Sequence, residues 1–260
     1  MPNDIVQGLW IGQRLSVMEQ LSIRSFLAHG HRYHLYTYDK VEGVPRGAVL
    51  RDAREILPRD RIFRYTEFDT YAGFANFFRY KLLWERGGWW SDSDVVCLRP
   101  FHFAGDYVFS SERDIAGADV VNVGVMKAPA RSSLFAYAWE TCNAKDPRTL
   151  RWGEVGPALA AVAVAKFGLQ SSVQTAAVFC PIDFFEWQAV LDGTREWSFG
   201  PETCAVHLWN ELWRRCGRDK DAVYAKTCLY ERLKRQYNMG PWTYSRRLRT
   251  LCEKLKLVPA

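Results

Sequence analysis

Two aspartates separated by one serine, Asp92-Ser93-Asp94, stand between Trp89-Trp90 and the apolar run Val95 to Leu98. In an extended chain, residues two apart point the same way. Both carboxylates would then face one point, at the end of a strand where open α/β sheets hold ligands. Two like charges held close call for a cation, and oxygen donors suit Mg²⁺ or Mn²⁺. An isolated Asp-x-Asp is more often a solvated turn. This one interrupts an apolar passage, where aspartate is disfavoured.

The elements that must position the pair read as follows. Phe74, Phe77, Phe78 and Leu82 fall at helical spacing, so Thr70 to Arg86 is expected to be a helix with one buried face. Gly87-Gly88 stops it, because glycine accepts a left-handed conformation at little steric cost. Upstream, Ile5 to Ile11 reads as a first strand. Ser16 and Glu19 fit a capping box at the start of a helix that runs to about His29 and stops at Gly30. His31 to Tyr38 is β-rich and reads as the second strand. Strand, helix, strand is a βαβ unit, which favours a parallel pair.

Downstream, Val41 to Pro58 opens as a loop, with a short helix over Asp52 to Leu57. Tyr107 to Ser110 and Val120 to Lys127 are β-like, and Ser132 to Cys142 is helical. Glu154 to Pro157 is a turn, with Pro157 at the first position of an Ala-rich helix to Phe167. Val173 to Cys180 and Cys204 to Trp209 read as strands. From Asp219 the chain is polar and helical, and residues 219–260 form a basic tail within one domain spanning 1–260. From Tyr244 to Leu257, five basic residues alternate with leucines at i, i+3, i+7. Such a helix either packs on its own domain or rests on an anionic membrane surface.

The 260 residues suffice for one large α/β domain. The net charge of +6 suits an anionic ligand or surface without identifying it. Its basic residues are dispersed and carry no nucleic-acid-binding motif, which argues against nucleic acid as a partner. Seven cysteines without a C-x-x-C pair read as reduced thiols, as in a cytoplasmic protein. The first residues lack the basic-then-apolar pattern of a signal peptide. No run approaches the ~20 apolar residues of a membrane span. The expectation is a cytoplasmic protein, peripheral at the inner membrane face if the tail meets lipid.

Arg79 in a helix, then Gly87-Gly88, Trp90 and Asp92-Ser93-Asp94 together resemble the D-x-D sugar-transferase family. That family includes α-1,4-galactosyltransferases, initiating mannosyltransferases and bacterial capsule enzymes. A more distant likeness is to glucosylating toxins, through Gly8-Leu9-Trp10-Ile11-Gly12. The likeness covers residues 5–39 and 70–100 well and is weaker elsewhere. It implies a GT-A fold, which is a Rossmann-like α/β sheet that binds a nucleotide-sugar. It also implies a divalent cation, usually Mn²⁺, and transfer of a hexose with retention of configuration. The donor is expected to be UDP-linked, and the acceptor a saccharide or lipid-linked glycan. The alternative is a degenerate, non-catalytic sugar-nucleotide binder or scaffold of glycan assembly.

Carried over residue by residue, the resemblance makes Asp92 and Asp94 the metal pair. Asp92 also touches ribose and donor sugar, and Arg79 either bonds donor oxygens or forms a structural ion pair. His207 is the third ligand candidate, with Trp209 and Asn210 beside it. Trp10 either stacks on the base or fills the core; Tyr38 and Asp39 border the base pocket. Trp90 stands where a tyrosine is common in the family, and is a donor contact or core packing. Asn76 stands where many relatives carry an aspartate, which puts sugar selectivity in doubt. It still shares a helix face with Arg79. Asn122 and the Glu154–Pro157 turn are expected on the acceptor side.

Overall fold

The computed structural model describes residues 5–239. The first strand, β1 (Ile5–Trp10), leads into α1 (Val17–Ala28), and β2 (Arg32–Thr37) returns beside β1 in parallel. The βαβ unit expected from the sequence is therefore present. Its helix begins with the expected capping box: Ser16 Oγ accepts from Met18 N at 3.3 Å, and Glu19 accepts from Ser16 N at 2.6 Å. These bonds satisfy donors that the first turn leaves unpaired. An edge strand, β3 (Val49–Asp52), pairs in parallel with β2 inside the stretch read as loop. Its apolar residues are exposed, so no burial pattern betrays it. The helix expected over Asp52 to Leu57 is a single 3₁₀ turn, Ala53–Glu55, capped by Asp52.

The long helix α2 (Ala72–Arg86) buries Phe74, Phe77, Phe78 and Leu82 as its spacing requires. It ends at Gly87, whose φ is 62°. A Cβ there would lie 2.3 Å from the Ala130 backbone nitrogen. Glycine is demanded by backbone crowding as well as by φ. Next come β4 (Gly88–Ser91), β5 (Val95–Cys97), β6 (Val108–Arg113) and β7 (Asp119–Ala128). The helices α3 (Ser133–Asn143) and α4 (Leu159–Lys166) follow. Pro157 lies inside a wide turn, Glu154–Ala158, ahead of α4 rather than at its first position.

Val173 to Cys180 is not a strand. Val173 makes one bridge to Phe109, and the chain then turns into α5 (Ala176–Phe179). Gln174 N already bonds Phe109 O, and Thr175 N-caps the short helix, so pairing along the strand edge stops there. The strand β8 (Ala205–His207) precedes α6 (Asn210–Arg215) and α7 (Leu229–Gln236). The amphipathic stretch Tyr244 to Leu257 lies outside the described residues. No helix among the described residues is long and apolar enough to cross a membrane.

The main sheet has the order β3-β2-β1-β4-β7-β6. Its first four strands pair in parallel, and β7 joins antiparallel to β4 and β6. This mostly parallel α/β sheet meets the Rossmann-like, GT-A expectation. One apolar core forms with α1, α7 and β5–β8, and the other with α2, α3 and α4. A second, two-stranded sheet pairs β5 with β8. Two buried serines of α1 complete its edge: Ser22 Oγ donates to Val95 O at 2.6 Å, and Ser25 Oγ accepts from Cys97 N at 2.8 Å. The small sheet is thereby fixed against the large one.

Candidate functional site

The aspartates do not lie within a strand. The chain leaves β4 at Ser91 and turns through Asp92, Ser93 and Asp94 before entering β5. Asp92 N donates to Gly124 O at 2.8 Å, and Val95 N closes the turn on Asp92 O at 3.2 Å. Strand alternation therefore cannot be what makes the carboxylates converge. The turn does so, with help from β8. Antiparallel register sets His207 opposite Val95, and Leu208 N donates to Asp94 O at 2.9 Å. Ligand atoms of Asp92, Asp94 and His207 consequently lie within 4.8 Å of one another.

Each member is fixed by neighbours. Asp92 Oδ1 accepts from Trp90 Nε1 at 2.8 Å and pairs with Arg79 at 2.9 Å. Arg79 is buried beneath it, donating to Val123 O at 2.7 Å and lying 5.0 Å from the Trp90 ring. Asp94 Oδ2 accepts from Asn210 N at 2.7 Å and lies 3.3 Å from His207 Nε2. The imidazole stacks on Trp209, with centroids 4.0 Å apart, and Cys180 Sγ lies 3.8 Å from Nδ1. Trp209 is held in turn by its indole N–H on Ile182 O at 2.9 Å.

Burial pushes the Asp92 carboxyl above the usual range, with Arg79 opposing and Asp94 adding to the rise. For Asp94 burial acts in the same sense. The His207 charge, its hydrogen bond and the Asn210 N–H outweigh it, so the carboxyl is held low. Burial opposes a charged His207, yet the Asp94 carboxylate holds the imidazole well above its ordinary value. Two crowded carboxylates and an imidazole fit a divalent cation: ligands about 2.1 Å from an ion lie ~3–4 Å from each other. Here they need only a slight closure.

The triad sits in a cleft of about 1020 Å³. Trp10, Asn76, Arg79, Trp90, Trp209 and Asn210 also line it. Trp10 is half-buried, with Lys220 Nζ 5.6 Å from its ring centroid and no partner for its indole N–H among the described residues. Asn210 Oδ1 is likewise buried and unpartnered. Trp90 is buried and lies in the cleft wall. Asn76 packs under the Glu154–Ala158 turn, where a Cβ on Gly156 would meet its Nδ2 at 3.0 Å. Tyr38 and Asp39 are not brought here. The Tyr38 hydroxyl donates to Leu57 O at 2.8 Å, and Asp39 is paired with Arg59 at 2.7 Å. Neither lines the cleft.

Gly153, Pro157 and Asn122 line the cleft, whereas Glu154 turns to Lys145 at 2.7 Å. Sequence reasoning missed Glu112, Gly124, Trp152 and Lys220. Gly124 had a signal: it follows Asn122 by two, and a Cβ there would lie 3.2 Å from His207 Cε1. Lys220 had none, since its side chain pairs with the buried Glu19 of α1 at 2.5 Å, far away in the chain.

Residues 22–113 match the family model described as "Glycosyltransferase sugar-binding region containing DXD motif". The matched stretch takes in Arg79, Asp92 and Asp94 but neither Trp10 nor His207. No curated protein matches the chain in sequence. Among solved structures, the chain is similar to one titled "PaToxG Glycosyltransferase", at 16% identity and a TM-score of 0.47, over 65% of this chain and 71% of that one. It is also similar to the apo-form glycosyltransferase GlyE of Streptococcus pneumoniae TIGR4, at 16% identity and a TM-score of 0.39. That alignment covers 66% of this chain and 45% of GlyE.

Proposed function

We propose, from the match of residues 22–113 to the model of a DXD-containing glycosyltransferase sugar-binding region, a metal-dependent transferase acting on a nucleotide-sugar. It moves a hexose, from a UDP-linked donor, to a hydroxyl of a saccharide or lipid-linked glycan with retention of configuration. The observation that carries the reading is the convergence of Asp92, Asp94 and His207 within 4.8 Å inside a cleft also walled by Trp10.

Asp92, Asp94 and His207 would hold the cation, Mn²⁺ or Mg²⁺, which when bound neutralises charge on the donor diphosphate. Arg79 keeps Asp92 oriented through its bond to Oδ1 and its anchor on Val123 O. Asn210 N and the Trp209 ring do the same for Asp94 and His207. Trp10 offers the base an aromatic face in the cleft lining. Asn76, an uncharged amide, contributes only hydrogen bonds to the sugar. Tyr38 and Asp39 lie off the cleft and take no part. The protein acts as one domain, cytoplasmic, and its contact with anionic lipid rests on Tyr244 to Leu257.

The test is turnover of a panel of UDP- and GDP-hexoses with Mn²⁺ and simple saccharide acceptors, followed by mass spectrometry. Nucleotide release with hexose added to an acceptor is expected for one UDP-sugar. Nucleotide binding without consumption of any donor would leave a non-catalytic binder, the reading that Asn76 favours.

A further inference from the structure

A carboxylate outside the Asp92–Asp94–His207 group lines the same cleft. Glu112 stands on β6, partly buried, at the cleft wall. Its Oε2 accepts from Asn122 Nδ2 at 2.5 Å. The amide is fixed in that sense, because Asn122 Oδ1 already accepts from Gly124 N at 2.6 Å and Ser110 Oγ at 3.2 Å. The Asn122 NH₂ can therefore only point away, at Glu112. Gly124 in turn abuts His207 and supplies its carbonyl to Asp92 N. A continuous set of contacts thus locks Glu112 to the Asp92–Asp94–His207 centre.

Among the described residues, no cation pairs with Glu112 and no hydrogen bond reaches its Oε1. Burial pushes its carboxyl above the usual range, the Asn122 bond and the His207 charge opposing. Glu112 Oε1 is not sealed from the cleft, so it is free to accept a hydrogen bond from a bound molecule. A group of this kind in a cleft is a functional-site candidate.

We propose that Glu112 is the acceptor-binding residue. Its Oε1 accepts a hydrogen bond from a hydroxyl of a neutral saccharide and so presents that saccharide to the donor sugar. This inference rests on the glycosyltransferase reading above. In the transfer, the bond from the sugar's anomeric carbon to phosphate oxygen breaks, and a bond from that carbon to the acceptor oxygen forms. The acceptor proton leaves on the departing diphosphate, so Glu112 ends the cycle in the state in which it began. A carboxyl at this point also disfavours acceptors carrying a carboxylate or phosphate beside the reacting hydroxyl.

Glu112→Gln tests the inference. Asn122 Nδ2 demands an oxygen partner, so the new amide must turn its NH₂ to the cleft, and an acceptor becomes a donor. The probes are methyl α- and β-glycosides of glucose, galactose and mannose. UDP affinity by calorimetry and donor hydrolysis without acceptor are measured alongside. The expected result is UDP affinity and hydrolysis within about twofold of wild type, with kcat/KM for the glycoside reduced at least about tenfold through KM, as for one lost hydrogen bond to a charged group. Glu112→Asp should recover part of the loss. Wild-type kcat/KM in Glu112→Gln overturns the assignment. A parallel loss of UDP affinity also overturns it, since Glu112 would then belong to the donor site. Hydrolysis of donor by wild type without transfer to any glycoside overturns the neutral-saccharide assignment alone. No binding or hydrolysis of any donor by wild type overturns the glycosyltransferase reading beneath it.

Discussion

Two parts of the cleft lining are built differently. Around the aspartates, the charged groups are tied to buried partners: Asp92 to Trp90 and Arg79, Asp94 to Asn210 N and His207, Arg79 to Val123 O. At Trp10 the indole is half-buried, its N–H has no partner among the described residues, and Lys220 stands 5.6 Å from the ring. Charge chemistry depends on groups that are already oriented when charge develops. Stacking on an aromatic face is tolerant of small displacements. The charged group should therefore fail abruptly when altered, and the Trp10 stacking face by degrees.

Asp94→Asn should give the largest effect. It keeps the volume but removes the charge that pairs with His207 and a cation. Metal-dependent transfer should fall at least about a hundredfold, a loss of several kcal/mol in charge stabilisation. Steady-state rates over a Mn²⁺ series check this, with circular dichroism to verify folding. Unchanged rates at limiting Mn²⁺ would contradict the metal role of Asp94.

Arg79→Ala comes next, and acts on stability as well as on binding. It leaves Asp92 partly buried without its guanidinium, and breaking such a pair costs about 3–5 kcal/mol. Denaturant unfolding measures the loss. Adding Asp92→Asn in the same chain should restore part of it, because the two residues interact directly. Strict additivity would mean that the pair contributes nothing as a pair.

Trp10→Ala belongs to the graded part. UDP affinity should weaken by about 1–3 kcal/mol, the range for base–aromatic stacking, with turnover at saturating donor retained. A collapse in melting temperature with unaltered affinity would instead place Trp10 in the core.

The last effect is on pH, and it is graded. A cation needs the His207 lone pair, but Asp94 holds the imidazole protonated to well above its ordinary pKa. Binding must expel that proton, so Mn²⁺ affinity should fall about tenfold per pH unit below the raised value and level off above it. Calorimetry in buffers of different ionisation enthalpy would detect the released proton. A flat profile across the same range would remove His207 from the cation site.

The parts of the molecule visible in the sequence are those governed by local rules. The Ser16–Glu19 capping box, the Phe74–Leu82 face and the glycine stop at Gly87 each depend on residues a few positions apart. The Asp92–Asp94 pair was also visible, but its convergence arises in a turn rather than from strand alternation. His207 could be suspected as the end of a β-run. Its partner is set by β5–β8 register across more than a hundred residues, which no local pattern encodes. The edge strand β3 escaped notice because its Val49 and Leu50 are exposed. Val173 to Cys180 misled because its composition is strand-like while its backbone is bonded to β6 only at one end. Glu112 drew no attention because its meaning depends on Asn122 across the β6–β7 pair. Tyr38 and Asp39 end the right strand, but Leu57 and Arg59 draw them away from the cleft.

The central claim is that Asp92, Asp94 and His207 hold a cation that in turn holds a nucleotide diphosphate. Isothermal titration of UDP into the protein, with Mn²⁺ and with chelator, tests it most directly. UDP should bind at least about tenfold more tightly with Mn²⁺, and Asp94→Asn should erase that difference while retaining the residual affinity supplied by Trp10. Equal UDP affinity with Mn²⁺ and with chelator, or no UDP binding in either condition, would contradict the claim.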